Sequence, residues 1–436
     1  MKKIILLIPI LLITIFSVGY LFNKADKKTD SKFSSQNLKE DAQKLSPALT
    51  AILKELKFKE SYHEIPLEKK ILFLEDKKLN FFTLKEGFYS GIHEPTYGSG
   101  YIDFDGNNLL VLSSRGILAY TKDINKSSTL KQIKNNINNF IGIKQFKKSY
   151  KFSLKDLLIN NSKIYISYVE EILDNCFNTS IIAADLNYNN IQFTKFFSNK
   201  QCVEKKIGKE FNAHQSGGRI IKFDDNNILL TVGDYRSRSL AQQANSINGK
   251  VIKINIINKK HKIISMGHRN PQGLYYDKDK NFILETEHGP MGGDEINIIQ
   301  VKDINKNKKL NFGWPIVSAG EHYGGRSEKN KEKYKKYPLY KSHTEYGFIE
   351  PLISFVPSIG ISEIVKIGED KYAFGSMGKD REGDKSLYLL DLNSKNKIKT
   401  INKIKINERV RDLKFKSGKL YMFLENTSSI GIMSIY

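Results

Sequence analysis

One short unit recurs along the hydrophobic pattern of the chain: an apolar stretch, a turn rich in Asp, Asn, Gly or Lys, and a second apolar stretch. Alternating positions with β-branched and aromatic side chains are typical of strands, so each unit predicts a β-hairpin. The unit occurs six times, with turns near residues 105, 161, 225, 279, 369 and 418. The sequence therefore predicts an array of hairpins.

The spacing of the turns predicts the architecture. Successive turns lie 56, 64, 54, 90 and 49 residues apart, which leaves room for two further strands in each unit. Four-stranded units repeated radially form a β-propeller, so we expect an all-β fold with six four-stranded antiparallel blades over residues 45–436. A sandwich or solenoid of similar hairpins is the alternative, because a hairpin pattern at Ile71–Thr83 does not fit the spacing. Candidates for the additional strands are Gly116–Tyr120, Lys250–Ile257, Glu295–Val301 and Ser386–Leu392.

The N-terminal segment predicts export. Lys2 and Lys3 precede an uncharged apolar run, Ile4–Phe22, whose length as a helix of about 28 Å is close to the hydrocarbon thickness of a membrane. Residues 1–23 are therefore expected to be a signal peptide or an uncleaved signal anchor. Polar residues 24–44 are expected to be a flexible tether. Both a signal peptide and a signal anchor would place the propeller in the periplasm or elsewhere outside the cytoplasm. The protein would contact the membrane through the N-terminal segment if that segment is retained.

The charge of the chain changes this picture little. Lys and Arg number 70 and Asp and Glu number 47, which leaves a net charge of +23. The basic residues are spread along the chain, without an Arg-rich recognition helix, zinc-finger spacing or an aromatic-basic RNA-binding motif. A Lys-rich solvated surface is thus expected, and nucleic acid is not an expected partner.

The two cysteines form a candidate disulfide in an exported protein. Cys176 and Cys202 flank two β-patterned runs, Thr179–Leu186 and Ile191–Phe197, that a turn-prone Asn-Tyr-Asn-Asn sequence joins. A hairpin would bring its two ends together. The alternative is two buried free thiols.

Residues suited to catalysis are concentrated in two segments, 213–219 and 267–273, each just before the first strand of a hairpin. In a propeller both segments would lie at one end of the central channel. There His214, Arg269 and Asn270 would offer a base and hydrogen-bond donors around a shared cavity. Phosphate-binding glycine loops, nucleophile elbows and zinc-binding His-Glu-x-x-His motifs do not occur in the sequence.

Four motifs occur in order along the second half of the chain. They are Gly267-His-Arg-Asn-Pro-Gln-Gly273, Glu287-His-Gly-Pro-Met-Gly-Gly-Asp-Glu-Ile-Asn297, Asn311-Phe-Gly-Trp-Pro315 and Arg409-Val-Arg-Asp412. Together they resemble the soluble glucose and aldose sugar dehydrogenases that depend on pyrroloquinoline quinone, the glucose/sorbosone dehydrogenase family. The resemblance extends from about Phe211 to the C-terminus, and members of that family are six-bladed propellers.

The resemblance implies roles for particular residues. His214 matches the catalytic base. Guanidinium groups suit the carboxylates of the quinone, which is a flat tricarboxylate. The backbone carbonyls of Gly289 and Pro290 match positions that bind a calcium ion at the quinone edge, in keeping with calcium's preference for oxygen ligands. The residues that match cofactor contacts are Arg269, Asn270, Arg409, Arg411 and, as a substitute one position from the family's lysine, Lys379.

Two further features depend on the same comparison. Asp294 and Glu295 match acidic positions that hold a second, structural calcium in some members, and surface carboxylates that close a turn are the equal alternative. The early blade departs from the family, because Phe152–Leu158 lacks the Gly-Gly-Leu-Leu segment and the glutamine that often precedes it.

The function expected from these residues is that of an exported quinoprotein oxidoreductase. It would oxidise an aldose at C1 to the lactone, with pyrroloquinoline quinone as hydride acceptor, calcium as metal and an unidentified electron acceptor as partner. A divergent, non-catalytic propeller that binds a sugar or a protein is the alternative. A calcium-dependent propeller lactonase is less favoured, because the arginines suit a tricarboxylate better than an ester.

Overall fold

The computed structural model describes residues 32–74, 77–93, 98–207, 209–306, 310–378 and 384–435, with side chains from residue 47 onward. Residues 1–31, which include the predicted signal segment, lie outside this part of the chain. Within the described residues, no helix is both long and apolar enough to cross a membrane.

Four α-helices occur in the described residues, and the first changes the predicted domain boundaries. Residues 32–44, which were expected to be a tether, form the first part of this helix. Its second half packs on the strands through the buried side chains of Ala48 and Ile52. The helices are α1 (Lys32–Ser61), α2 (Ile143–Lys148), α3 (Val301–Asn305) and α4 (Lys331–Lys336).

The rest of the fold consists of β-strands joined by short turns. The N-terminal strands are β1 (Ile65–Leu74), β2 (Lys77–Leu84), β3 (Gly100–Asp105), β4 (Asn108–Ser113), β5 (Leu118–Thr121), β6 (Thr129–Gln132) and β7 (Lys134–Asn135). The next are β8 (Leu154–Asn160), β9 (Lys163–Leu173), β10 (Cys176–Asp185), β11 (Asn190–Ile191), β12 (Thr194–Phe197) and β13 (Val203–Glu204).

The remaining strands follow in chain order. They are β14 (Gly217–Lys222), β15 (Asn227–Val232), β16 (Lys250–Asn255), β17 (His261–Met266), β18 (Pro271–Asp277), β19 (Phe282–Glu287), β20 (Asp294–Gln300) and β21 (Ile353–Phe355). The last are β22 (Ile361–Lys366), β23 (Lys371–Ser376), β24 (Ser386–Leu392), β25 (Ile398–Lys405), β26 (Val410–Lys416), β27 (Lys419–Leu424) and β28 (Ser429–Ser434).

Apart from the parallel two-stranded pair of β7 and β11, the sheets are antiparallel, and most contain strands that follow one another along the chain, which gives a propeller-like arrangement. Strands β14–β17, β18–β21 and β22–β25 each form a four-stranded sheet in chain order, and β8, β9, β10 and β12 form another with β13 beside β10. All six predicted hairpins are confirmed, as β3–β4, β8–β9, β14–β15, β18–β19, β22–β23 and β26–β27.

The hairpin at Ile71–Thr83 that did not fit the spacing joins the two ends of the chain. It is the β1–β2 hairpin, and β2 pairs with β28 from Leu79–Met433 to Thr83–Ser429. A nine-stranded sheet results, in the order β26-β27-β28-β2-β1-β6-β5-β4-β3. The first strands also contact one another in a closed series, β3, β8, β14, β18, β22, β26 and again β3.

A buried arginine connects these first strands at the centre. Arg219 on β14 places Nη1 2.8 Å from Asp156 Oδ1 and 2.7 Å from Asp412 Oδ1, and Nε 2.8 Å from Glu363 Oε2. Asp156, Asp412 and Glu363 also accept backbone N–H groups of neighbouring first strands. Because these carboxylates lie on β8, β26 and β22, one guanidinium ties four sheets together.

Candidate functional site

The two segments rich in catalytic residue types lie side by side, at the same end of the ring of first strands. Strands β14 and β18 begin at Gly217 and Pro271, directly after these segments. The Asn270 Oδ1 atom accepts the Gly217 N–H at 3.2 Å, which joins the two segments. The structure therefore brings them together, as the propeller hypothesis requires.

His214 lies in a short 3-10 helix, Ala213–Gln215, that the Asn212 side chain caps by accepting the His214 N–H at 2.9 Å. Its ring bonds to the Ile92 backbone, and its buried Nε2 atom has no hydrogen-bond partner among the described residues. Burial, followed by the charges of Lys151, His93 and Lys155, lowers the pKa of His214 well below its ordinary value. The imidazole is therefore neutral, with one nitrogen available to accept a proton.

The loop over His214 is held by a buried arginine that sequence reasoning missed. Arg115 donates to Ser90 Oγ at 3.0 Å, to Gly91 O at 2.8 Å and to Tyr150 O at 2.8 Å. From α1, Glu55 Oε2 accepts the Ser90 N–H at 2.9 Å. The segment that carries Ile92 and His93 is thus fixed from two sides, and the His93 ring lies 5.4 Å from the His214 ring.

Lys155 is a second residue that the sequence did not point to. It lies in β8 within the early-blade segment that departs from the family, and it is 7% exposed. Its Nζ atom is 3.3 Å from Ala213 O, next to His214. Burial and the charges of Arg411 and Arg115 lower the pKa of Lys155 well below its ordinary value. An amine in this position would gain a proton if an anion bound beside it.

Arg269 and Asn270, which directly precede β18, are both buried. The Arg269 N–H bonds to Glu287 Oε2 at 2.5 Å, its Nη1 donates to His288 O at 2.8 Å, and its guanidinium lies 5.5 Å from the Trp314 ring. Trp314 Nε1 in turn donates to Asp234 Oδ2 at 2.8 Å. The arginine is therefore oriented by a backbone carbonyl and an aromatic ring, without a direct carboxylate partner for its fork in the described residues.

Arg409 and Arg411 share one carboxylate, which the sequence analysis did not foresee. Glu425 at the end of β27 lies 3.0 Å from Arg409 Nε and 2.7 Å from an Arg411 amino group. Burial raises the pKa of Glu425, but the charges of Arg411 and Arg409 prevail and lower it to about 2. The Arg411 Nε atom lacks a partner in the part of the chain that the structure describes. Two guanidinium groups facing one carboxylate leave a positive charge for an anionic ligand.

The proposed calcium loop is fixed by Asp294. This carboxylate accepts the N–H of Gly289 at 3.0 Å, and its other oxygen accepts the N–H groups of Ile359, Gly360 and Ile361. A Cβ at Gly289 would lie 1.9 Å from Gly293 O, so only glycine fits there. The turn that presents the Gly289 and Pro290 carbonyls is thus rigid, which suits backbone ligation of a hard cation.

The two acidic positions therefore differ in character. Both are buried, Asp294 at 1% and Glu295 at 6% exposure, so neither is a surface carboxylate, although Asp294 does close the turn at Gly289. Asp294 is engaged by four backbone N–H groups and acts as a clamp on the turn. Glu295 faces His343 Nε2 at 3.6 Å, and burial and the Glu287 charge raise its pKa well above the ordinary value. Lys379 lies outside the described residues.

Several of these cationic groups are neighbours. Lys155 interacts electrostatically with both His214 and Arg411, and Glu425 is the carboxylate that pairs with Arg409 and Arg411. A planar ligand with several carboxylates matches this set chemically, because guanidinium forks bind carboxylates in two-pronged fashion. The Nε2 atom of His214, which has no partner among the described residues, has a lone pair that is chemically able to accept a proton.

Comparison with known proteins identifies the family of this chain. A model of the Glucose / Sorbosone dehydrogenase family matches residues 151–432, which is more than half of the chain. The aldose sugar dehydrogenase YliI of Escherichia coli (strain K12) is 25% identical over 291 residues, covering 61% of this chain and 71% of that protein. An uncharacterized protein of Synechocystis is 28% identical over 223 residues, covering 45% of this chain. The match spans 50% of the length of this Synechocystis relative.

Solved structures show the same fold. The PQQ-bound form of aldose sugar dehydrogenase from Streptomyces coelicolor superposes with a TM-score of 0.58 at 16% identity, covering 85% of this chain and 99% of that one. The architecture, the four ordered motifs and the family model agree over the same region. The chain belongs to the glucose/sorbosone dehydrogenase family.

Proposed function

We propose that this protein is an exported, six-bladed quinoprotein that oxidises an aldose at C1 to the lactone with pyrroloquinoline quinone. The observation that carries the proposal is the buried Nε2 atom of His214, which has no hydrogen-bond partner among the described residues. Burial, followed by nearby positive charges, lowers the pKa of this imidazole and so favours its neutral form. Family membership, a curated aldose sugar dehydrogenase relative and a quinone-bound structural neighbour support the class of reaction.

The residues present fit the cofactor. Arg269, Arg409 and Arg411 would bind its carboxylates, and Asn270 would lie beside it. The Gly289 and Pro290 carbonyls would hold calcium on a turn that Asp294 keeps rigid. Lys379 would be a further contact on the strength of the sequence alone. When bound, pyrroloquinoline quinone supplies a hydride acceptor.

His214 performs the proton transfer in this account. Its Nε2 atom takes the proton of the sugar C1 hydroxyl while hydride leaves C1, so the C1–O bond becomes the carbonyl of the lactone. The proton remains on the imidazole until solvent removes it. Lys151, His93 and Lys155 disfavour that protonated form, which keeps the base ready for the next sugar.

The cellular location and electron acceptor follow from the same proposal. Export would be directed by residues 1–23, which would contact the inner membrane if they are retained. Electrons would then pass to an acceptor outside the cytoplasm.

Reconstitution tests the function. Purified protein incubated with calcium and pyrroloquinoline quinone should acquire a bound-quinone absorbance spectrum that aldoses bleach. Binding of the quinone without bleaching by any aldose in a broad panel would contradict the proposal.

A further inference from the structure

One face of the β19–β20 hairpin carries an unusual concentration of buried acids. Glu285 lies opposite Asn297 and Glu287 opposite Glu295 in the strand register. All four side chains are buried, with Glu285 and Asn297 at 0% exposure. The strand alternation of β19 places Glu285 and Glu287 on the same face, where both carboxylates need a positive partner.

His268 enters this cluster from the loop before β18 and is completely buried. Its Nδ1 atom lies 3.1 Å from Glu287 Oε1 and 3.7 Å from Glu285 Oε2. Its Nε2 atom lies 2.8 Å from Ser265 Oγ. When Nε2 donates its hydrogen to Ser265, the Nδ1 lone pair faces the two carboxylates. Such an arrangement of a histidine ligand with a hydrogen-bonded second nitrogen is typical of metal sites.

The spacing of the donor atoms fits one small cation. The Asn297 amide nitrogen is 2.9 Å from Glu285 Oε2 and 3.2 Å from Glu287 Oε1. Ligand atoms at about 2.1 Å from a tetrahedral zinc ion lie about 3.4 Å apart. The four observed separations, from 2.9 to 3.7 Å, bracket this value.

Two buried oxygens in the cluster have unmet hydrogen-bonding capacity. Glu285 Oε1 and Asn297 Oδ1 have no partner among the described residues. Rotation of the Asn297 side-chain amide by half a turn would exchange the positions of its nitrogen and its Oδ1 atom, so that Oδ1 would face the two carboxylates. That orientation is favourable only with a cation between them.

We propose that His268 Nδ1, the Glu285 and Glu287 carboxylates and Asn297 Oδ1 form a buried site for a divalent first-row transition metal such as zinc. The imidazole ligand favours such an ion over calcium. The site is separate in its donors from the Gly289 and Pro290 carbonyls. Because Arg269 follows His268 and its N–H bonds to Glu287, the ion would fix the loop that carries Arg269.

Zinc binding by the full, untagged chain tests the proposal without quinone or sugar. Protein freed of metal by a chelator and returned to excess calcium is equilibrated with zinc, and the zinc retained after gel filtration is measured. We expect about one zinc per wild-type chain. Failure of the wild-type protein to retain zinc would overturn the proposal, whatever the outcome of the sugar assay.

Two matched variants assign the ligands. Glu285→Gln removes the negative charge of one ligand with almost no change in side-chain volume, and it should weaken zinc binding about tenfold or more. Glu170→Gln alters a buried glutamate on β9, outside the proposed ligand set, and should retain zinc as the wild type does. Equal loss in both variants, or no loss in Glu285→Gln, would contradict the assignment, and circular dichroism verifies that each variant is folded.

Discussion

Burial changes the pKa of His214, a residue that the sequence could identify only by its type. The resemblance implied that it is the base, but its ordinary pKa of 6.5 is not the relevant one, because burial and neighbouring positive charges lower it. The histidines at 268 and 214 look equivalent in sequence. In the structure His268 is engaged by Ser265 and Glu287, whereas the Nε2 atom of His214 has no partner in the part of the chain that the structure describes.

The pH dependence of the proposed sugar oxidation follows from the lowered pKa of His214. A base acts when it is neutral, so activity is lost as pH falls through the His214 pKa. Since that pKa is lowered, the rate should persist below pH 6.5. The ratio kcat/KM measured against pH checks this, and Lys151→Met, which removes one nearby charge, should move the acidic limb to higher pH. A wild-type limb centred at or above 6.5 would contradict the electrostatic account.

The paired arginines give a second prediction at the residue scale. Arg411→Ala should weaken quinone binding by about 2 kcal/mol, or about thirtyfold, because a charge-assisted bond to a carboxylate is lost. Glu425→Gln is the control, since removal of the carboxylate that competes for both arginines should maintain or strengthen binding. Fluorescence or absorbance titration measures both affinities. Unchanged affinity in Arg411→Ala would remove this residue from the cofactor site.

Local pattern predicted which residue types lie at the channel mouth but not what they contact. Arg115, Lys155 and Glu425 were missed because their partners are distant in sequence. Arg115, for example, bonds to Gly91 and to Tyr150. Such pairings follow from the closure of the sheets and leave no periodic signal in the chain.

Among the elements, hairpins were the part of the fold that sequence predicted best. Each hairpin is specified locally, by two alternating runs and a turn, and all six were confirmed. The β1–β2 hairpin was recognised, but its place was not, because its partner β28 lies at the other end of the chain. Helix α1 was missed where polar composition was interpreted as a tether.

The disulfide provides a test at this scale. Cys176 and Cys202 are bonded in the structure, with Cα atoms 5.3 Å apart, and the adjacent pairing of β10 with β13 already brings the two segments together. Reduction should therefore cost no more than about 3.5 kcal/mol, the chain-entropy value for a loop of this size. Intact mass with and without reductant should differ by two hydrogens. Two free thiols in protein isolated from the periplasm would contradict the bond.

For the whole molecule, ring closure depends on contacts that join distant sheets. Strand β2 completes the sheet of β26–β28, and Arg219 connects β14 to carboxylates on three other first strands. Removal of a buried charge that serves three carboxylates leaves them unpaired, which is costly in a low-dielectric interior.

Arg219→Leu should accordingly lower the free energy of unfolding by about 3 to 5 kcal/mol, measured by urea denaturation. Arg326→Leu is the control, because that side chain is 62% exposed and should have little effect. A loss of less than about 1 kcal/mol in Arg219→Leu would show that the central network is not a major source of stability.

The central claim is that His214 removes the proton during sugar oxidation, and single-turnover bleaching of the reconstituted protein tests it most directly. Wild type and His214→Gln are loaded with quinone and calcium, matched for bound quinone by absorbance, and mixed with the same aldose. The account predicts that both bind quinone and that the variant is bleached about 10² to 10⁴ times more slowly, the usual contribution of a positioned base. Bleaching of the variant within threefold of the wild-type rate would contradict it.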